Sequence, residues 1–286
     1  MKKGLVMEGG AMRGMFTCGV IDVLMENNIN FDCGVGVSAG ATFGLNIKSK
    51  QIGRPLRYNK VYCNDKRYAS LKSLVKTGDL YNVDFCYGTL PYELDIWDTE
   101  TFYSNPMEFY CVATDLNTGY AVYHKCDNPN STRDGVDIQW IRASASMPVV
   151  SKPVVINGNS YLDGGMSDSI PLKFMESQGC DKILVIETQP EAYVKKPQKY
   201  MWAIKLSLRK FPKMIKTMAN RHIMYNEEKE YIKKQEVNGN VFVIRPNVPL
   251  NIGAREKDPA ELQRVYEIGR AAAISNLSAL KEYLAC

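Results

Sequence analysis

Residues 32–42 read DCGVGVSAGAT. An apolar run ends at a single serine, Ser38, which stands between Gly36 and Gly40 and is followed by a helix-like run. Small residues on both sides let the backbone turn sharply and leave the central side chain clear. The pattern is either an ordinary strand-to-helix turn capped by Ser38 or a G-x-S-x-G nucleophile elbow. Five residues alone do not choose between the two.

The pattern around the turn predicts a parallel sheet. Residues 4–7 form an apolar run before Gly9 and Gly10, a helical pattern follows over about 12–27, and 31–37 form the next strand. Strand, helix and strand in so short a span predict a right-handed βαβ unit. Further strands are predicted at 109–113, 154–156, 182–187 and 241–245, with helices at about 39–48, 167–178 and 258–284 and short helices and insertions over 50–108. No linker or repeat divides the chain, so we expect one α/β domain over 1–286.

A glycine loop, GGAMRG, follows the first strand. It comprises Gly9, Gly10, Ala11, Met12, Arg13 and Gly14. Uncovered backbone N–H groups at a helix N-terminus attract an anion, and Arg13 strengthens that field. A plain tight turn remains an alternative; a phosphate loop lacks its G-K-[ST] and G-x-G-x-x-G spacing here. Neighbouring parallel strands lie about 5 Å apart, so the loop can adjoin Ser38 and serve as an oxyanion hole.

A serine nucleophile needs a base, and neither histidine is well placed to supply it. His124 alternates along a predicted strand and is interpreted as structural, while His222 lies in a basic segment. A Ser…Asp…His order with His222 stays formally open, although α/β-hydrolases place several strands before their elbow. Asp163 follows a hairpin pattern and precedes Gly164 and Gly165. A turn aspartate is the alternative, but beside an elbow and a glycine loop Asp163 is the best candidate base.

The motifs GGAMRG, GVSAG and DGG, in this order and with so early an elbow, resemble the patatin-like phospholipase family, especially its bacterial members. ATDLNTG at 113–119 and IRASASMPVV at 141–150 are similar to recurrent segments of those proteins. The resemblance covers about 4–190, and a helix over 258–284 is consistent with it. It implies a three-layer α/β/α sandwich with a mainly parallel central sheet and a Ser–Asp dyad that needs no histidine, metal or cofactor.

By position, the resemblance makes Ser38 the nucleophile and Asp163 its base. Backbone N–H groups of Gly9, Gly10 and either Met12 or Ala11 would form the oxyanion hole, and Arg13 matches the basic residue of the motif. One departure is that the family often has Asn shortly before the proline that follows its DG[GA], where this chain has 168–171, DSIP.

The positive charge is concentrated in one segment, 195–221. It holds nine of the 36 Lys and Arg residues and no acid, so the remainder has 27 basic against 31 acidic residues. Apolar residues are interleaved with the cations: Trp202, Ile204, Leu206, Leu208, Phe211, Met214, Ile215 and Met218. The segment is either a solvated helix face or an interfacial segment for anionic lipid. No nucleic-acid reading module is recognisable, so we expect peripheral membrane contact and no nucleic acid.

The cysteines and the N-terminus predict a cytoplasmic protein, and the basic segment 195–221 predicts peripheral contact at the inner face of the membrane. Eight cysteines are scattered without C-x-x-C pairs, which favours reduced thiols and gives no metal-ligand spacing. The first residues lack the apolar run of a signal peptide, and no run of 18 apolar residues predicts a membrane span.

These observations predict a serine acyl hydrolase that cleaves lipid acyl esters and uses no cofactor or metal. An acyltransferase or thioesterase with the same dyad is one alternative. A non-catalytic lipid-binding regulatory protein is another, although such a protein has no need of an intact Ser38, Asp163 and glycine loop.

Overall fold

The computed structural model describes residues 1–129 and 135–285. Within them one mixed sheet contains β1 (Lys3–Met7), β2 (Cys33–Val37), β3 (Glu108–Asp115), β4 (Ala121–Lys125), β5 (Val154–Ile156), β6 (Asn159–Asp163), β7 (Lys182–Ile186) and β8 (Val241–Ile244). Hydrogen-bonded neighbours follow the path β5-β6-β3-β2-β1-β7-β8. Strands β2 and β6 pair with successive parts of one edge of β3, and β4 pairs with the other edge. Strands β1, β2, β3, β7 and β8 run parallel, whereas β4, β5 and β6 form antiparallel pairs.

Helices connect and cover these strands. They are α1 (Gly14–Glu26), α2 (Ala39–Thr42), α3 (Leu45–Lys48), α4 (Arg54–Tyr62), α5 (Leu71–Thr77), α6 (Thr99–Ser104), α7 (Val136–Ala145), α8 (Leu172–Ser177), α9 (Met201–Ser207), α10 (Pro212–Val237) and α11 (Pro259–Ala285). Short 3₁₀ turns span Ala11–Arg13 and Gly164–Met166, and a π-helix spans Phe85–Leu94.

Alternate residues of the sheet face two separate cores, as expected for strands covered on both sides. Leu5 and Met7 pack in the core beneath α1 and α11, whereas Val6 packs in the core beneath α8 and α10. The chain therefore folds as the predicted three-layer α/β/α sandwich.

Helix α1 is buried around its whole circumference because α11 covers its outer face. Tyr266 of α11 donates a hydrogen bond to the Asp22 carboxylate at 2.7 Å, and Arg270 pairs with Glu26 at 2.8 Å. Burial raises the pKa of Asp22 to about 6. The C-terminal helix is thus an integral outer layer of the fold.

The predicted strands and the helix over 258–284 are confirmed, and two helix predictions are wrong in their bounds. The run 39–48 is interrupted, because Asn46 and Ile47 bond three residues back, to Phe43 and Gly44. The helix predicted at 167–178 begins only at Leu172, after Pro171. Among the described residues no helix combines the length and the apolar character that crossing a bilayer requires.

Candidate active site

Ser38 lies in a strained turn between β2 and α2. Its φ of 55° and ψ of −118° are unfavourable for a residue with a side chain, as in nucleophile elbows. The turn packs main chain on main chain: a Cβ on Gly36 would lie 2.2 Å from the Gly40 oxygen, and one on Gly40 would lie 2.3 Å from the Met7 oxygen. Both positions therefore require glycine. The Ser38 N–H donates to Oγ of Ser144, on α7, at 3.0 Å.

Strand β3 brings the second residue to Ser38. Along one edge of β3, β2 pairs as far as Val37 opposite Val112, and β6 takes over with Asp163 opposite Ala113. The hairpin partner β4 occupies the other edge. Asp163 therefore lies beside the end of β2, next to the turn that holds Ser38.

The Asp163 carboxyl group is buried, with 3% of the residue exposed. Its Oδ1 accepts the Gly165 N–H at 2.8 Å, and its backbone N–H donates to the Ser146 oxygen at 2.8 Å. Burial raises the pKa of Asp163 above its usual value, while hydrogen bonding to the Ser38 side chain and the Arg221 charge oppose the rise. A base with a raised pKa accepts a proton more readily near neutral pH.

The glycine loop lies against the elbow. A Cβ on Gly9 would lie 3.0 Å from Cβ of Ser38. Among the described residues, no acceptor takes the backbone N–H groups of Gly9, Gly10 and Ala11. Ala11 carries the positive φ of the loop, 49°, whereas Gly10 is extended at −177°. These N–H groups remain available to an anion beside Ser38.

A largely apolar cavity opens beside Ser38. It spans about 820 Å³ when the space at its open mouth is included. The glycine loop contributes Ala11 and Met12 to its wall. Aromatic side chains from the insertion between β2 and β3 form much of the remainder: Phe43, Tyr58, Tyr68, Tyr81 and Tyr87. Such a wall suits an acyl chain.

Family models divide the chain into two matched parts. The model described as patatin-like phospholipase matches residues 5–175, which include the elbow, the glycine loop and Asp163. The chain belongs to the patatin-like phospholipase family. A second model, described as a domain of unknown function (DUF6363), matches residues 211–285, which hold α10 and α11. The patatin core thus carries a further segment of unassigned role.

The chain is similar to several individual proteins. The chain is 29% identical over 283 residues to the uncharacterized protein YjjU of Escherichia coli (strain K12), covering 93% of this chain and 74% of that protein. It is 28% identical over 195 residues to lysophospholipase nte1 of Aspergillus niger. This match covers 64% of this chain but only 12% of the nte1 protein. The crystal structure of VipD from Legionella pneumophila aligns with 97% of this chain and 67% of that chain, at a TM-score of 0.48 and 14% identity.

Two residues near Ser38 and Asp163 were missed by sequence reasoning. Ser144 lies in the segment 141–150 that the family resemblance singles out, but nothing local predicts its contact with Ser38. Arg221 was grouped with the lipid-facing cations, whereas its Nε donates to the Gly165 oxygen at 2.6 Å beside Asp163. Only the tertiary packing of α10 brings it there.

His124 is held structurally, as predicted. Its Nε2 lies 2.7 Å from Asp137 Oδ1, and its ring stacks on Trp140 at 4.8 Å. His124, Asp137 and Cys126 form a group whose ligand atoms lie within 4.8 Å of one another and could hold a metal ion. However, the Cys126 thiol donates to Cys111, and this bond together with burial raises the pKa of Cys126, which disfavours the thiolate that a metal needs.

The apolar residues of 195–221 fall into two groups. Ile204, Leu208, Met214 and Met218 are buried in a small core, so their expected lipid-facing role is wrong. Trp202, Leu206 and Tyr200 are 70%, 66% and 72% exposed. We call these three exposed residues the aromatic rim. Tyr200 of the rim lines a surface pocket that shares Met147 with the cavity beside Ser38.

Proposed function

We propose that this patatin family member is a serine acyl hydrolase for acyl esters of glycerophospholipids or related lipids, with Ser38 as nucleophile and Asp163 as base. The observation that carries the proposal is the meeting of a strained, glycine-flanked serine with a buried carboxylate on one edge of β3. The lysophospholipase name of the nte1 relatives supports a lipid ester as substrate.

Acylation begins when Ser38 Oγ attacks the ester carbonyl carbon and its proton passes to the Asp163 carboxylate. The carbonyl oxygen becomes an oxyanion, which the free N–H groups of Gly9, Gly10 and Ala11 stabilise. When the C–O bond to the alcohol breaks, Asp163 returns the proton to the leaving oxygen. The acyl group is left on Ser38 as an ester.

Deacylation repeats these steps with water as the nucleophile. Water attacks the acyl carbon, Asp163 takes its proton, and the oxyanion forms at the same N–H groups. Collapse of this intermediate releases the fatty acid, and the proton held by Asp163 returns to Ser38 Oγ. The cycle needs no histidine, metal or cofactor.

Labelling of Ser38 tests the assignment directly. A fluorophosphonate should add one label to the wild-type protein, mapped to the peptide that contains Ser38. Ser38→Ala should lose both the label and phospholipid hydrolysis, whereas Ser104→Ala, which changes an exposed serine on α6, should keep both. Stable labelling at another residue, or phospholipid hydrolysis by folded Ser38→Ala protein, would overturn the proposal.

The aromatic rim and the cations around it form the proposed membrane contact. Exposed Trp and Leu side chains insert at the headgroup boundary, and Lys and Arg residues attract anionic lipid. Cations near the rim are exposed and lack ion-pair partners among the described residues: Lys205, Arg209, Lys210 and Lys213. The free thiols of Cys18 and the six other described cysteines fit a reducing compartment, so we place this contact at the cytoplasmic leaflet.

Vesicle co-sedimentation tests this surface. Replacing Lys205, Arg209, Lys210 and Lys213 with Gln should weaken binding to anionic vesicles and reduce its salt dependence. The charge-matched control replaces four exposed cations elsewhere, Lys234, Arg255, Lys257 and Lys281, and should bind as wild type does. Equal binding by the two quadruple variants would mean that 195–221 is a solvated face.

A further inference from the structure

Helix α10 presents one face to both catalytic loops. Arg221 and Tyr225, one helical turn apart, reach the two sides of the site. Arg221 donates to the Gly165 oxygen beside Asp163, and the Tyr225 hydroxyl donates at 2.7 Å to Glu8, which directly precedes the glycine loop. The segment of unknown function, 211–285, therefore contributes side chains to the active site.

Lys195 and Arg221 line one pocket at this face. Burial and the positive charges of Arg221 and Arg13 lower the pKa of Lys195 to about 8, while the charges of Glu8 and Glu228 oppose this change. Arg221 also lies near Arg13. Like charges that are partly buried together are unfavourable unless an anion joins them.

Among the described residues no carboxylate lies within ion-pair distance of these cations, although the charges of Asp163, Glu8 and Glu228 act on them from farther away. The Nε atom of Arg13 is buried without a hydrogen-bond partner. Lys195 Nζ lies 4.1 Å from the centre of the Tyr225 ring and not against an acid. The carboxylate of Glu8 is already held by the Tyr225 hydroxyl and the Thr188 N–H. Donor capacity is therefore left over at this point.

Lys195 and Arg221 are accessible from solvent. A pocket of about 640 Å³, including its open side, is lined by Lys195, Lys196, Arg221 and His222. Arg221 lies between this pocket and Asp163. The cavity beside Ser38, which we call the acyl cavity, is not lined by Arg221. An anion that enters here would lie beyond the base, away from the acyl chain.

We propose that Lys195 and Arg221, supported by the charge of Arg13, form an anion-binding subsite that takes the phosphate group of a phospholipid headgroup. The inference rests on the proposed hydrolase function. Asp163 returns its proton to the alcohol side of the ester, and in a glycerophospholipid the phosphate is attached on that side. Guanidinium and ammonium groups bind phosphate oxygens through charge-assisted hydrogen bonds. The subsite would hold the headgroup while the acyl cavity holds the chain.

A matched pair of substrates tests the subsite. Octanoyl lysophosphatidic acid and monooctanoylglycerol share an acyl ester and differ in the phosphate. Wild-type protein should prefer the former in kcat/KM, and Lys195→Gln should reduce that preference about tenfold, mainly through KM. Lys234→Gln removes an exposed charge on α10 about 20 Å along the helix from Arg221 and should leave the preference unchanged. Equal preference in Lys195→Gln and wild-type protein would overturn the proposal.

Binding to Ser38→Ala protein separates this proposal from the hydrolase proposal, because it requires no turnover. Calorimetry should show tighter binding of octanoyl lysophosphatidic acid than of monooctanoylglycerol, and Lys195→Gln or Arg221→Gln in that background should remove most of the difference. Equal affinities for the two lipids would overturn the subsite even if hydrolysis occurs. Preferential binding without hydrolysis by the wild type would instead refute the hydrolase function.

Inorganic phosphate distinguishes a headgroup from a free anion. If the headgroup is the ligand, phosphate should raise the KM for octanoyl lysophosphatidic acid and leave kcat unchanged. This competition should weaken in Lys195→Gln. If phosphate changes the kcat of monooctanoylglycerol hydrolysis instead, the site is a regulatory anion site and the headgroup assignment is wrong.

Discussion

Replacing Arg221 with Met should move the acid limb of the pH–rate profile to higher pH. Asp163 acts as a base only when ionised, so kcat/KM falls as the pH drops through its pKa in the free enzyme. Burial already raises that pKa above the usual value of about 4, and the Arg221 charge opposes the rise. Removing the charge therefore raises the pKa further, and activity is lost at a higher pH on acidification.

The size of the effect follows from the distance between the two groups. A Cβ on Gly165 would lie 3.1 Å from Asp163 Oδ1 and 3.5 Å from an Arg221 terminal nitrogen, so these atoms are at most about 6.6 Å apart. At about 6 Å and an effective dielectric constant of about 20, Coulomb's law gives about 3 kcal/mol, or about two pH units. Delocalisation of the guanidinium charge and solvent at its open side reduce the expected change to roughly one unit.

The assay is kcat/KM for a soluble neutral ester, measured from about pH 4 to about pH 9. Arg221→Lys is the control, because it keeps a positive charge at this position and should hold the limb near its wild-type pH. If folded Arg221→Met protein loses activity at the same acidic pH as the wild type, the electrostatic role of Arg221 is refuted, whatever the rate of the variant at neutral pH.

Three further predictions address the loop, the aromatic rim and the histidine group. Gly10→Val should slow acylation about 10²–10³-fold, as loss of an oxyanion donor does, because its Cβ would lie 2.7 Å from Thr188 Oγ1; stopped-flow labelling by a fluorophosphonate at wild-type speed would contradict this. Trp202→Ala should weaken vesicle binding without changing its salt dependence, since apolar contact and no charge is lost; an altered slope in co-sedimentation would argue otherwise. His124→Ala should lower the free energy of unfolding by about 1–2 kcal/mol, because Asp137 loses a buried hydrogen-bond partner, and it should leave ester hydrolysis intact. EDTA should not inhibit the wild-type protein. An unchanged melting temperature of the variant, or inhibition by EDTA, would contradict a structural role without metal.

The local motifs made the core of the site predictable. Gly36, Gly40 and Gly164 make main-chain contacts that admit no side chain, so the sequence exposes these positions directly. Parallel strands bring their carboxyl ends to one edge, and this rule was sufficient to place the glycine loop beside the elbow. The three-layer fold followed from the family resemblance of those same motifs.

The contributions of α10 could not be predicted in the same way. Arg221 contacts a residue 56 positions away, and no local pattern distinguishes it from the solvated cations around it. The same helix explains the wrong start of α8: Glu228 accepts the N–H groups of Ser169 and Ile170, so these residues are held in a loop and not in a helix. Tertiary hydrogen bonds override local propensity at both points.

The residues proposed to react and the residues that line the cavity are positioned by different parts of the chain. Backbone register along one strand fixes the spacing of Ser38 and Asp163, whereas the aromatic wall of the cavity comes from the insertion between β2 and β3. Substitution of its cavity-facing side chains would leave this main-chain spacing in place. A slip of one residue in β6 would do the opposite, since it would turn Asp163 to the other face of the sheet and leave an intact acyl pocket with no chemistry. On the proposed mechanism, the insertion therefore determines the substrate range, and catalysis depends on a single register of β6.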